Sequence, residues 1–432
     1  MPDLRSWGPG GLNLLTAAEA SSKLEKGTAT SRKLVEDCLA RIEARDKDVC
    51  SWAYIDPALA LAQADARDKE PRRSALHGVP VGIKDIFDTW DMPTAYGFGP
   101  LKSHRPAVDT ALVSILRSAG AVILGKCVTT EFASPVPIGT RNPHDFTRSP
   151  GVSSSGSAAA VADYMVPLAL GSQTGGSTIL PAAFCGVVGY KASLMGLDRG
   201  GIRHLRPSLD TMGLFARSIE DVILLRSVLT GVAAAPESIS RPRIGICRSI
   251  RWSEAQPETV KALEQAVDAL KRAGAEMVDA EMPPVFNGIE ESFRIISSLE
   301  GSRALALEAR DHLDQMNHWV KGAQTATKSI TLTQYDAAQL HAIECRHALQ
   351  ACFERCDVIL TPSTCGEAVA DLTSVSNSAF NRIWTLMHTP CATIPAYEGP
   401  NGMPVGVQIV GPVGSDDRML GLTEWVSARI GR

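Results

Sequence analysis

Two serine-rich turns carry the residues best suited to chemistry. Residues 149–157 read SPGVSSSGS and residues 171–181 read GSQTGGSTILP, joined by the helical run AAAVADYM and the apolar VPLAL. A Ser/Gly run alone reads as a flexible linker, but these flanks are segments of the kind that become buried. Consecutive glycines before a serine at a helix start can aim several backbone N–H groups at one point, as a developing oxyanion requires. Thr174, Gly175, Gly176 and Ser177 fit that description, with Ser177 the candidate nucleophile.

Serine is a weak nucleophile at its own pKa and needs a base, usually histidine. Of the nine histidines, His77, His104, His144 and His204 fall in the central region, and none sits in an acid, base and nucleophile signature. A lysine kept neutral by burial is the alternative, because desolvation disfavours the ammonium. Lys84 interrupts the apolar run VPVGIKDIFD, where its charge is costly unless partnered or neutralised. Pairing with Asp85 or Asp88 is the plain structural reading. Two serine loops downstream favour the catalytic one.

These residues need a scaffold, and 432 residues suffice for one large α/β domain or two intimate ones. From Thr16 to Asp68 the pattern is helical: Thr30 or Ser31 caps KLVEDCLARIEAR, and Asp56 with Pro57 opens ALALAQADARD. From Gly78 short β-branched runs (VPVGIKDI, AVILGK, VPLALG) alternate with amphipathic helices. That alternation predicts an α/β fold with a mixed, mostly parallel central sheet covered by helices on both faces. RIGICRS, a helix and EMVDAEM repeat the grammar around 243–282; residues 284–356 are helical; DVILTP, CATIPA and PVGVQIVG return as strands. The expected division is a helical layer at 1–70, a core bearing the candidate site at 71–235, and a second α/β part at 236–432. That second part contains the insertion at about 284–356 and the strands that complete the sheet.

The net charge of −4, without a dense Lys/Arg block, argues against nucleic acid. No window approaches the roughly 18 apolar residues that span a bilayer, and MPDLRSWGPGGLNLL has no basic region followed by an apolar stretch. Ten scattered cysteines lack the spacing of a disulfide framework, so free thiols and a cytoplasmic location are expected. His341, Cys345, Cys352 and Cys356 fall near one helical face, but small cysteines on an amphipathic helix are commonly core. No metal site is expected, and without a phosphate-binding glycine motif no cofactor either.

The order GIKD at 82–85, PGVSSSGS at 150–157, and GGS followed by PAAFCG at 175–186 resembles the amidase signature hydrolases. TTEFAS at 129–134, RNPHD at 141–145, SLDTMGLFARSIED at 208–221, FNRIWTLM at 380–387 and PCATIPAYEGPNGMPVGVQIVGP at 390–412 extend the resemblance. The wording is nearest to malonamidase-like bacterial amidases and related urethane- and aryl-amide-cleaving hydrolases. The resemblance implies the amidase signature fold and a Ser-cisSer-Lys triad. Ser177 would be the nucleophile, Ser153, twenty-four residues earlier, the bridging serine after a cis bond, and Lys84 the base. It also implies an oxyanion hole at Thr174–Ser177, with Phe132, Ser154 and Leu180 beside the substrate.

Three positions depart from the family pattern. Val152 replaces the glycine before the bridging serine, and Gln173 replaces an aspartate. Leu180 stands where malonamidase-like members carry an arginine that grips a substrate carboxylate. The expected activity is therefore hydrolysis of amide-type C–N bonds, with carbamates and esters as related substrates, in neutral small molecules. Two alternatives are a component of an amidotransferase that hydrolyses glutamine for aminoacyl-tRNA amidation, and a hydrolase of carboxylate-bearing amides. The compact length and Leu180 are taken against the first. The partners expected are a small-molecule substrate and at most a second copy of the chain, with no nucleic acid and no membrane. Residues 284–330, with Phe286, Phe293 and Trp319, are expected to form a lid.

Overall fold

The computed structural model describes residues 3–232, 240–374 and 377–430. Thr30 caps the helix Ser31–Val49 by accepting from Lys33 N–H, while the Ser31 hydroxyl donates to Gly78 O at 2.8 Å. Asp56 caps Pro57–Lys69, with the proline in the first turn.

Eleven strands form one sheet: β1 Trp52–Ile55, β2 Pro80–Lys84, β3 Val122–Cys127, β4 Leu168–Gln173, β5 Val188–Lys191, β6 Thr211–Ala216, β7 Arg243–Ile246, β8 Glu276–Asp279, β9 Val358–Pro362, β10 Cys391–Glu398 and β11 Pro404–Val410. Their spatial order is β1-β3-β2-β4-β6-β5-β10-β11-β9-β7-β8. The parallel pairs are β3 with β2, β2 with β4, β9 with β7 and β7 with β8. The centre, from β4 through β6, β5, β10 and β11 to β9, is antiparallel. The expectation of mostly parallel pairing thus fails in the middle, where β5 and β6 are linked without a crossover helix and β10 and β11 form a hairpin. The N-terminal layer also adds β1, paired antiparallel with β3.

Both faces of the sheet are buried, as in a fold covered by helices on two sides. Along β6, Met212, Leu214 and Ala216 enter one core together with Val81, Ile83, Leu168 and Leu170, whereas Phe215 enters another with Ala169 and the Ala158–Ala162 stretch. A third cluster joins Ile296, Ala338, Ala342, Cys345, Leu349 and Cys352 of the 284–356 region to Trp384 and Met387. His341 and Cys345, weighed above as ligands, both direct polar atoms at Val285 O. Among the described residues no helix is long and apolar enough to cross a membrane, and no group of three or more His, Cys, Asp and Glu side chains could hold a metal ion.

Candidate active site

Parallel pairing of β2 with β4 brings their C-terminal ends out at one edge of the sheet, with Ile83 in register with Leu170. Lys84 therefore emerges beside Ser172 and Gln173, at the carboxyl ends of strands where open α/β sheets commonly bind ligands. Its side chain is fully buried. Its Nζ lies 2.7 Å from Ser153 Oγ and 2.9 Å from Ser172 Oγ and donates to both. The carboxylates that could have made Lys84 a structural cation are engaged elsewhere: Asp85 pairs with Lys126 at 3.2 Å, and Asp88 accepts from the Tyr96 hydroxyl at 2.5 Å. Burial without a close anion pushes the Lys84 ammonium down to about 7, opposed only by the more distant charge of Asp210.

Ser153 precedes the helix Ser155–Ala162, and the Val152–Ser153 bond is cis. Ser154, expected beside substrate, is instead fully buried: its hydroxyl donates to Ser172 O at 3.1 Å and accepts from Ser172 N–H at 3.3 Å. Gly171 permits this approach, since a Cβ there would meet Ser154 Oγ at 2.9 Å and Phe215 at 2.4 Å. Ser154 thus fixes the serine that holds Lys84. It does not face the pocket.

The turn between β4 and the helix Ile179–Cys185 carries Thr174 to Ser177. Gln173 shapes it: Oε1 accepts from Thr178 N–H and Ile179 N–H, each at 3.0 Å, and Nε2 donates to Thr385 Oγ1 at 3.1 Å. The amide thus supplies the acceptor that the family's aspartate would, and adds a donor. Thr385 Oγ1 in turn donates to Gly175 O at 3.4 Å, so the segment after Ser378 braces the turn. Thr174 Oγ1 donates to Asp210 at 2.5 Å, and Asp210 also accepts from Leu205 and Arg206 N–H. No acceptor among the described residues takes the N–H groups of Gly175, Gly176 or Ser177. Gln173→Leu should strand two buried N–H groups and lower unfolding stability by about 1–3 kcal/mol. Urea denaturation checks this, and an unchanged midpoint would exclude Gln173 as the brace.

A pocket of about 480 Å³ opens on this turn. Its walls include Val152, Thr174, Gly175, Gly176, Ser177 and Leu180 from the two serine segments. Leu180, one helical turn beyond Ser177, lines it as expected. Phe132 does not: it is 2% exposed and packs on Phe98, ring centroids 4.9 Å apart. The backbone at Phe132 is left-handed (φ 47°), and its neighbours Ala133 and Pro135 reach the pocket instead. Of the three expected lid aromatics, Phe293 and Trp319 line the pocket, whereas Phe286 is core. Sequence reasoning missed Ser172, Asp210, Thr385 and the lining arginines Arg206 and Arg382. Ser172, Asp210, Arg382 and Thr385 lie within the runs named above, but nothing there signals their contacts. Among the histidines, His144 bonds Cys185 O and His77 bonds Arg67 O, and neither lines this pocket.

The family model for amidases matches residues 33–420. The chain belongs to the amidase family. Its curated relatives include one component of the glutamyl-tRNA(Gln) amidotransferase of Streptomyces coelicolor, 31% identical over 94% of each chain, and the corresponding component from Roseiflexus castenholzii, also 31% identical over 94% of each. Among solved structures, an amidase superposes with a TM-score of 0.88 at 29% identity, covering 96% of this chain and 100% of the other. The native peptide amidase of Stenotrophomonas maltophilia superposes with a TM-score of 0.83 at 27% identity, covering 97% and 98%. A vestigial protein complex bearing on the origins of an s-triazine catabolic enzyme gives 0.88 at 26% identity, covering 97% and 99%. The amidase fold and amide-cleaving chemistry are thus common ground between this chain and its relatives.

Proposed function

We propose that this amidase hydrolyses the amide C–N bond of a small molecule through an acyl-enzyme on Ser177. The supporting observation is the fully buried Lys84, its Nζ 2.7 Å from Ser153 Oγ and its pKa near 7. A neutral amine there has a lone pair for the Ser153 proton, and Ser153 in turn takes the proton of Ser177 as its Oγ bonds to the carbonyl carbon. The N–H groups of the Thr174–Ser177 turn receive the oxyanion. As the C–N bond breaks, the proton returns along the same path to the departing amine. Water then attacks the acyl-enzyme by the same relay and releases the acid. Carbamates and esters present the same carbonyl and fit the same steps.

A second reading, a component of an amidotransferase that frees ammonia from glutamine for aminoacyl-tRNA amidation with a partner protein, is favoured by the curated relatives. Against the compact length weighed above stands a similarity that runs over 94% of each chain. Product release by the purified chain alone, across glutamine, aliphatic amides, anilides, carbamates and esters, separates the two readings. Turnover of substrates other than glutamine is expected of a stand-alone hydrolase. Turnover confined to glutamine and raised by a partner would establish the amidotransferase role instead.

A further inference from the structure

Four arginines line the pocket around Ser177, Arg206, Arg251, Arg294 and Arg382, against two acidic residues, Glu290 and Glu291. Glu290 is taken by Arg251 at 2.9 Å, and Arg251 also pairs with Glu254. Glu291 is taken by Arg294 at 2.5 Å. Among the described residues no carboxylate lies within ion-pairing distance of Arg206 or Arg382. Both sit in the wall of the cavity that Ser177 also lines.

Both are held in place. Arg382 donates from Nε to Ser378 Oγ at 3.0 Å, and its stem crosses the nucleophile turn: a Cβ added at Gly175 would lie 3.8 Å from Arg382 Cγ. Arg206 is 6% exposed, donates from Nε to Ser297 Oγ at 2.9 Å, and stacks on Trp319 at 5.7 Å. Asp210 accepts from Arg206 N–H and from Thr174 Oγ1, tying Arg206 to the same turn. Desolvation disfavours both cations. A guanidinium held largely out of water with no carboxylate in direct contact, and only the longer-range charge of Asp210 and Glu300 for Arg206 or of Glu290 for Arg382, gains from an incoming anion, which it can grip with two parallel bonds.

The geometry points to a carboxylate subsite formed by Arg382 and Arg206, so that the preferred substrate is a small amide bearing a carboxylate near its scissile carbonyl. This inference rests on the amide-hydrolase reading and replaces the expectation, drawn from Leu180, of a neutral substrate. The arginines come from other elements, and Leu180 supplies an apolar part of the wall.

The test compares succinamate and glutaramate with butyramide and valeramide, neutral amides of matching length. Calorimetric binding to Ser177→Ala comes first, so that recognition is read without turnover. The acids should bind more tightly than their neutral counterparts, and Arg382→Gln in that background should reduce the acid-to-neutral affinity ratio about 10- to 100-fold. Arg382→Lys should restore part of it. In the otherwise wild-type enzyme the kcat/KM ratio should fall in the same way, with Arg206→Gln as the second probe. Equal binding of acid and neutral amide, or a ratio indifferent to Arg382→Gln, overturns the subsite. Absence of turnover with the binding preference intact would count against the hydrolase reading alone.

Discussion

Ser177→Ala should abolish amide turnover together with labelling by a serine-directed sulfonyl or phosphonyl fluoride, because without that oxygen no acyl-enzyme forms. Ser177 is half-buried, lines the pocket, and follows two glycines whose N–H groups are free to receive an oxyanion. Removing one hydroxyl from a pocket wall leaves the core intact, so the variant should unfold at the wild-type midpoint. Labelling that persists on another residue would remove Ser177 from the mechanism. Replacing any of the nine histidines should leave the chemical step largely as it was, and a histidine variant as inactive as Ser177→Ala would return the site to a Ser and His design.

Lys84→Ala should lower kcat/KM by several orders of magnitude, since a positioned base alone contributes about 10²- to 10⁴-fold and here also anchors Ser153. The pH profile distinguishes this from simple damage. With its pKa lowered to about 7, the group is protonated and idle below that value and neutral above it. Wild-type kcat/KM should therefore rise with pH, bend near 7, and level off, and the variant should lose the bend. A bend that survives the substitution assigns the base elsewhere. Folding stability carries the same sign: between about 7 and 10.5 the unfolded chain binds the proton that the folded one rejects. Stability should rise with pH across that window by the share due to Lys84.

The candidate site residues were legible in order along the chain. A lysine inside an apolar strand, a serine run and a GGS turn each carry a physical oddity that survives without coordinates. The strands VPVGIKDI, AVILGK and VPLALG also declare themselves, because buried strands are apolar without interruption. What escaped was pairing between distant segments. WAYI is too short, between two helices, to stand out as β1, and TMGLFA and VGYK sit among glycines that blur their pattern. One missed signal was available: Asn401 and Gly402, with Gly402 at φ 76°, mark the β10–β11 turn, and Asn-Gly between apolar runs is the strongest short-range hairpin sign. It would have corrected the direction of the central strands. Arg382 lies 205 residues beyond Ser177, and only the folded chain lays its stem across Gly175. Phe132 and Ser154 failed as substrate contacts for a related reason. A motif gives proximity in sequence, whereas a left-handed turn or a bond to Ser172 decides which way a side chain faces.

The most direct test of an acyl-enzyme on Ser177 is to quench the enzyme with acid during turnover of a slowly deacylating substrate, such as an activated aryl ester or anilide, and map its peptides by mass spectrometry. The expected result is one added acyl group, located on the peptide containing Ser177 and absent from Ser177→Ala. An acyl group on any other residue, or a burst of released product with no acyl group on the protein, would contradict it.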